Sequence, residues 1–349
     1  MSSNSERLIV LDGWRAVSAL VVVAWHLQQD SSLPLHGTPG LNGLVGVELF
    51  FGISGFVIGR SLLAERAASG QISLAGFYVR RLFRIMPPLL LYVGVVLLLT
   101  QFGILGSAAR GIVNAFVFRC NLGDFSCGGY VGGQTWSLSA EEQFYLVIPL
   151  MLAVASVLSR TLITAALFTL PFFVVALYLT GQIVPADFLS EFMTIGLGVV
   201  CALHEDRARK IVTAWPGWTI LPALAAIFLL RGLEPAGKRS IIEVLTVPPL
   251  VMYILLGSAF RPTLLSGVLT SRPMQLLGAA SYSFYLWQQL ATYPFRGAGA
   301  GFYGWALCAC LLLALGSHRW LEQPMIRLGA ELSRRIQRSR IPLRAGAPV

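Results

Sequence analysis

The sequence predicts an all-α, polytopic integral membrane protein of about ten transmembrane helices, with both termini in the cytoplasm. Three observations carry this. The 349 residues are 56% hydrophobic and only 12% charged, whereas a soluble domain carries about 25% charged residues. The apolar residues come in runs near the ~20 residues that a bilayer-spanning helix needs. The basic residues are distributed unevenly between alternate connecting segments. Hydrocarbon offers no partner for backbone N–H and C=O groups, so each crossing is expected to be a helix. The short alternating segments of a membrane β-barrel are not seen.

The runs place helices at 8–27, 43–63, 82–103, 142–158, 161–180, 189–203, 214–230, 241–259, 276–293 and 301–318. A polar stretch, 104–140, separates the third from the fourth and holds a short apolar piece at 111–118. Pro, Gly and charge clusters mark most junctions. With the N-terminus inside, inner segments hold twenty Lys and Arg residues and outer segments six. The positive-inside rule therefore selects this orientation and an even number of helices. Met1–Arg7 is short and polar, and no small-residue cleavage site follows the first run. That run is thus expected to stay in the mature chain. The chain reads as one membrane domain, 1–327, followed by an Arg-rich tail, 328–349, expected to lie free of it. The net charge of +10 follows this topology, and no nucleic-acid partner is implied; membrane lipids surround the domain.

Cys201, Cys308 and Cys310 fall in apolar runs and read as packing residues. Cys120 and Cys127 share the polar loop, which this orientation places outside. A disulfide between them is expected over two free thiols, because an oxidising compartment favours it.

Ionisable groups at membrane depth are costly and are candidates for function. Arg15 and His26 are eleven residues apart, about 20° past three full helical turns. Both therefore lie on one helix face, separated by about 16 Å along the axis. Arg15 is expected near the inner surface and His26 near the outer end. His26 reads either as a plain interfacial histidine or as a titratable base. Asp30 orients its imidazole if the helix persists that far, and is otherwise a loop acid. Glu48, in GVELFFGISGF, is a buried carboxylate that needs a partner or a proton. Arg80, Arg81 and Arg84 are spaced to present three guanidinium groups to one region. They read equally as phosphate-binding forks or as positive-inside anchors. In TWSLSAEEQFYL, Trp136 suits the interfacial belt. Glu141 and Glu142 are expected in the first turn of the fourth helix, where its dipole favours anions. Two acids beside Trp136 and Gln143 also suit a site. Glu322 is expected to pair with Arg319.

Together these segments resemble the membrane-bound acyltransferase-3 family of bacterial glycan O-acetyltransferases, over almost the whole chain. Arg15 to His26 is similar to its basic-residue, ten-residue, histidine spacing. GVELFFGISGF resembles its second-helix segment, where Asp is commoner than this Glu48. RRLFRIMPP resembles its basic motif, and WSLSAEEQFYL its Trp-Ser-Leu-Ser-x-Glu-Glu-Gln-Phe block. SYSFYLWQQL and LEQP resemble its late motifs, with Gln288 standing where many relatives have His. The resemblance implies O-acetyl transfer from cytosolic acetyl-CoA (or another acyl-CoA) to a hydroxyl of a surface or lipid-linked carbohydrate in a bacterial inner membrane. It implies no metal. Arg15, Arg80, Arg81 and Arg84 would hold the donor phosphates. His26, with Asp30 and Glu142, would act in catalysis. Glu48, Trp136, Glu141, Gln143, Tyr285 and Gln288 would line the acceptor site. Ten helices with buried charges also suit a transporter or flippase, and an acyltransferase that modifies a small molecule is a further alternative.

Overall fold

The computed structural model describes residues 2–29, 42–121, 127–154, 160–179, 187–233, 241–292 and 300–339. Among these residues the chain is all-helical, with no strand. The elements are α1 (Ser2–Gln28), α2 (Gly43–Ser69), α3 (Leu74–Gln101), α4 (Thr135–Val154), α5 (Arg160–Leu179), α6 (Asp187–Leu203), α7 (Glu205–Thr213), α8 (Ile220–Leu233), α9 (Ile241–Phe260), α10 (Ser266–Leu269), α11 (Arg272–Ala279), α12 (Ser281–Thr292), α13 (Ala300–Ser317) and α14 (Gln323–Ser339). Two 3₁₀ stretches, Ser107–Val117 and Gly129–Gly132, lie between α3 and α4, and a π-helical turn, His318–Glu322, joins α13 to α14.

Among the described residues, five helices are long and apolar enough to cross a membrane. They are α2, α3 and the segments Ile9–Gln28, Ile242–Phe260 and Phe302–Gln337. A sixth arises if α7 and α8, bent by 98° at their break, count as one span. The expected ninth helix, 276–293, is instead α11 and α12 with a break at Ala280. At 12 residues, α12 extends about 18 Å, short of a ~30 Å hydrocarbon core.

Local sequence explains the helix ends that shape the site. Asn42 caps α2 by accepting from the Leu44 N–H at 2.9 Å, and left-handed Gly70 (φ 77°) closes it. Ser73 caps α3 by accepting from the Gly76 N–H at 3.2 Å. The third helix therefore begins at Leu74, eight residues before its expected start at 82. The RRLFRIMPP segment is helical throughout, with Pro87 and Pro88 inside it. In the same way α4 begins at Thr135, so Glu141 and Glu142 lie beyond its first turn. The dipole explanation for those acids is overturned.

α1 and α2 occupy the centre. Trp14 and Leu49 pack with Val251 and Leu255 of α9. Val23 packs with Leu89 and Tyr92 of α3 and Trp287 of α12. Phe51 packs with Phe144 and Ile148 of α4 and Ile195 of α6. α2 crosses α6 so closely that a Cβ at Gly55 would stand 2.1 Å from the Ile195 carbonyl oxygen. Such small-residue crossings are how membrane helices approach one another.

The Arg-rich segment expected to lie free is helical to Ser339 and packs on α3. Ile326, Gly329, Ser333 and Ile336 turn inward at three- and four-residue spacing. Their low apolar content hides that period in the sequence.

Candidate functional site

Two cavities lie along α1. The first, about 120 Å³, is lined by Arg15 of α1, Ser54 of α2, Arg81 and Arg84 of α3, Glu141 and Tyr145 of α4, and Tyr282 of α12, among others. The second, about 250 Å³, is lined by Trp25 and His26 of α1, Tyr130, Gln134, Trp136 and Gln289. Val47 and Tyr285 line both, so the two cavities meet across this pair. The Tyr285 hydroxyl lies 2.7 Å from Ser137 Oγ, and its ring stands edge-on to Phe50 at 5.9 Å.

The three clustered arginines separate. Arg80 leaves the cavity: it pairs with Glu65 at 2.9 Å and donates to Ser333 of α14 at 2.5 Å. Arg81 is held by two acids, donating to Glu142 at 3.1 Å and to Glu141 at 3.2 Å. Its guanidinium carbon sits 3.7 Å from the centre of the Tyr145 ring. Glu141 also accepts from Ser54 at 2.5 Å and from the Tyr145 hydroxyl. Arg15 pairs with Asp12 at 2.8 Å. Arg84 lines the cavity exposed, with no hydrogen bond or ion pair to any described residue. It is the cation there that a ligand can engage without breaking an existing pair.

His26 is 7% exposed. Its Nδ1 lies 2.9 Å from Gln288 Oε1, and Gln289 Nε2 lies 3.2 Å from its Nε2. Trp25 and Tyr130 flank the ring at 4.9 and 5.7 Å. The loop carrying Tyr130 is fastened from several sides. Cys120 and Cys127 form a disulfide. The Cys120 N–H donates to Ser139 Oγ at 3.1 Å, and the Tyr92 hydroxyl donates to the Val131 carbonyl at 2.5 Å. Gln143 donates to the Phe118 carbonyl at 2.7 Å and to Asn121 at 2.9 Å. It anchors this loop and lines neither cavity.

A family model described as an acyltransferase domain matches residues 8–317. The chain belongs to the acyltransferase-3 family. It is 27% identical to the O-acetyltransferase OatA of Staphylococcus aureus strains NCTC 8325 / PS 47, COL and MRSA252, in an alignment covering 91% of this chain and 57% of each relative. The chain thus spans somewhat over half the length of these curated relatives. No solved structure matches it.

Within this acyltransferase-3 domain, Arg15, Arg81, Arg84, Glu141 and Tyr285 share one cavity, and His26, Trp136 and Tyr285 share the other. Gln288 holds His26 from behind. Four expected site residues fall elsewhere. Arg80 faces α14. Glu142 lies across Arg81, in a separate recess with Tyr78 and Leu146. Gln143 ties the loop. Glu48 accepts from Arg231 at 2.6 Å and from Thr194, while Arg231 also pairs with Glu243. This group, buried to 2% side-chain exposure, clamps α2 to α6, α8 and α9. Asp30 lies outside the described residues. Glu322 pairs with His318 at 2.6 Å rather than with Arg319, and accepts from Ser283 at 3.3 Å.

Sequence reasoning missed Gln289, Tyr130 and Tyr145. Gln289 carried a signal, a second amide beside the motif position Gln288. Tyr130 sits in a glycine-rich loop with no local pattern pointing to His26. Among the described residues, no group of three or more His, Cys, Asp and Glu could hold a metal ion.

Proposed function

We propose that the protein is a membrane O-acyltransferase that moves an acetyl group from acetyl-CoA, bound from the cytosolic side, to a hydroxyl of a surface or lipid-linked carbohydrate. The observation that carries this reading is the meeting of the two cavities at Val47 and Tyr285. One offers an unengaged arginine, and the other a buried imidazole. The chain's membership of an acyltransferase family, and the name of its relatives, agree with it. A polytopic chain of about ten helices in a bacterial inner membrane, with both ends inside, would put the Arg84 cavity toward the cytosol and the His26 cavity toward the opposite side.

In this reading Arg84, with Arg15, binds the donor's phosphates through charge-assisted hydrogen bonds. Arg81 is spent on Glu141 and Glu142 and holds α3 against α4. The pantetheine arm extends past Tyr285, bringing the thioester to the boundary between the cavities. His26 Nε2 takes the proton from the acceptor hydroxyl as its oxygen attacks the thioester carbonyl. The C–O bond forms, the C–S bond breaks, and the imidazolium returns the proton to the departing thiolate. The aromatic rings of Trp25, Tyr130 and Trp136 and the amide of Gln134 suit an acceptor with apolar C–H faces and several hydroxyls, such as a sugar.

The test is transfer of labelled acetyl from acetyl-CoA to a cell-envelope glycan by purified protein in liposomes. General-base assistance supplies about 10²–10⁴-fold, so His26→Ala is expected to lose at least about a hundredfold. Near-normal transfer by a folded His26→Ala protein contradicts the proposal.

A further inference from the structure

Among the described residues, Gln288 and Gln289 each make a hydrogen bond to His26, and each has a polarity. Gln288 presents its carbonyl oxygen to Nδ1, at 2.9 Å. Gln289 presents its amide nitrogen to Nε2, at 3.2 Å. An amide oxygen only accepts and an amide nitrogen only donates. With the amides placed this way, the match is a proton on Nδ1 and a lone pair on Nε2. The other neutral tautomer would set a lone pair against an oxygen and two N–H groups against each other. The imidazolium would satisfy Gln288 but oppose Gln289. Both amides are buried, at 0% and 3% exposure, where a mismatched polar contact is most costly. Gln289 Oε1 has no hydrogen-bond partner among the described residues, and its side chain lines the His26 cavity.

We propose that Gln288 and Gln289 are positioning residues that hold His26 as its neutral, Nδ1-protonated tautomer with Nε2 as the reacting atom, and that Gln289 marks where the acceptor hydroxyl docks. The Gln289 N–H occupies the direction along which that hydroxyl must donate to Nε2. As the acceptor enters, the amide yields that place, and its unpaired Oε1 accepts from a neighbouring hydroxyl of the same acceptor. The acceptor class is thus a compound with adjacent hydroxyl groups. This inference rests on His26 acting as the base.

The experiment combines ¹⁵N NMR of the labelled imidazole with steady-state transfer. In the parent protein, the His26 nitrogen shifts are expected to report protonated Nδ1 and unprotonated Nε2; the opposite assignment overturns the proposal. Gln288→Leu removes the acceptor at Nδ1. It is expected to lower kcat at least about tenfold, a share of the 10²–10⁴-fold that a positioned base supplies, with donor binding unchanged as the control for folding. Gln288→Glu still accepts the Nδ1 proton and is expected to recover most of that loss. Gln289→Leu is expected to raise the KM for the acceptor and leave that for the donor. If His26→Ala retains transfer, the underlying reading of the base fails. If His26→Ala is inactive while both Leu variants behave as the parent, this inference alone fails.

Discussion

Arg84 gives the sharpest separation between a donor-binding arginine and a structural one. Arg80 and Arg81 are each bonded to acids, at 2.9 to 3.2 Å. Arg84 has no such partner among the described residues and lines the cavity. A hydrogen bond to a charged group contributes about 1.5–3 kcal/mol, and each 1.4 kcal/mol is about tenfold in affinity. Arg84→Leu should therefore weaken CoA binding about 10- to 150-fold. Arg84→Lys keeps the charge and loses the fork, so its effect should fall between parent and Leu. Arg81→Lys should act differently, because it releases one of two part-buried carboxylates. Its signature is a lower melting temperature with a smaller change in affinity. Isothermal titration of CoA into purified protein, at two salt concentrations, measures the first effect, and thermal unfolding the second. Unchanged CoA affinity in Arg84→Leu, or a larger affinity loss in Arg81→Lys than in Arg84→Leu, would refute the assignment.

Removing one member of a buried ion group costs about 3–5 kcal/mol. Arg231→Leu should thus sharply reduce stability in detergent, and the triple variant with Glu48→Leu and Glu243→Leu should recover much of it; equal stability of all three proteins would show that the clamp contributes nothing. The disulfide fastens the loop that carries Tyr130 and Gln134 to the His26 cavity. Cys120→Ser should therefore raise the KM for the acceptor while CoA affinity stays within about twofold of the parent, at a stability cost near the 2–4 kcal/mol typical of a lost disulfide. Loss of CoA affinity instead would place the loop at the other cavity.

The helical class and most of the helix positions are legible because apolar runs of bilayer length admit few other folds. The disulfide is legible too, because two cysteines share one polar loop seven residues apart, and the structure joins them. Side-chain direction is harder to read. Spacing alone lets Arg80, Arg81 and Arg84 share a face, but partners from other helices divide them. Glu65 draws Arg80 to one side, and Glu141 and Glu142 hold Arg81. Glu48 reads as a site residue because a buried acid is costly. Its partner Arg231 lies 183 positions away in the chain, beyond any local pattern. The inward face of α14 is hidden because a glycine and a serine mark it as much as apolar residues do. Gln289 reaches His26 across 263 positions, a contact that only the packing of α12 on α1 reveals.

The central claim is that donor and acceptor enter opposite ends of one path through the membrane domain and meet near Tyr285. Sided delivery tests it most directly. Protein of known orientation is reconstituted in sealed liposomes, with membrane-impermeant acetyl-CoA on the face bearing the N-terminus and the glycan acceptor only on the other. The account predicts acetylated glycan on that far side, dependent on His26. Product that forms only when donor and acceptor share a compartment would contradict it.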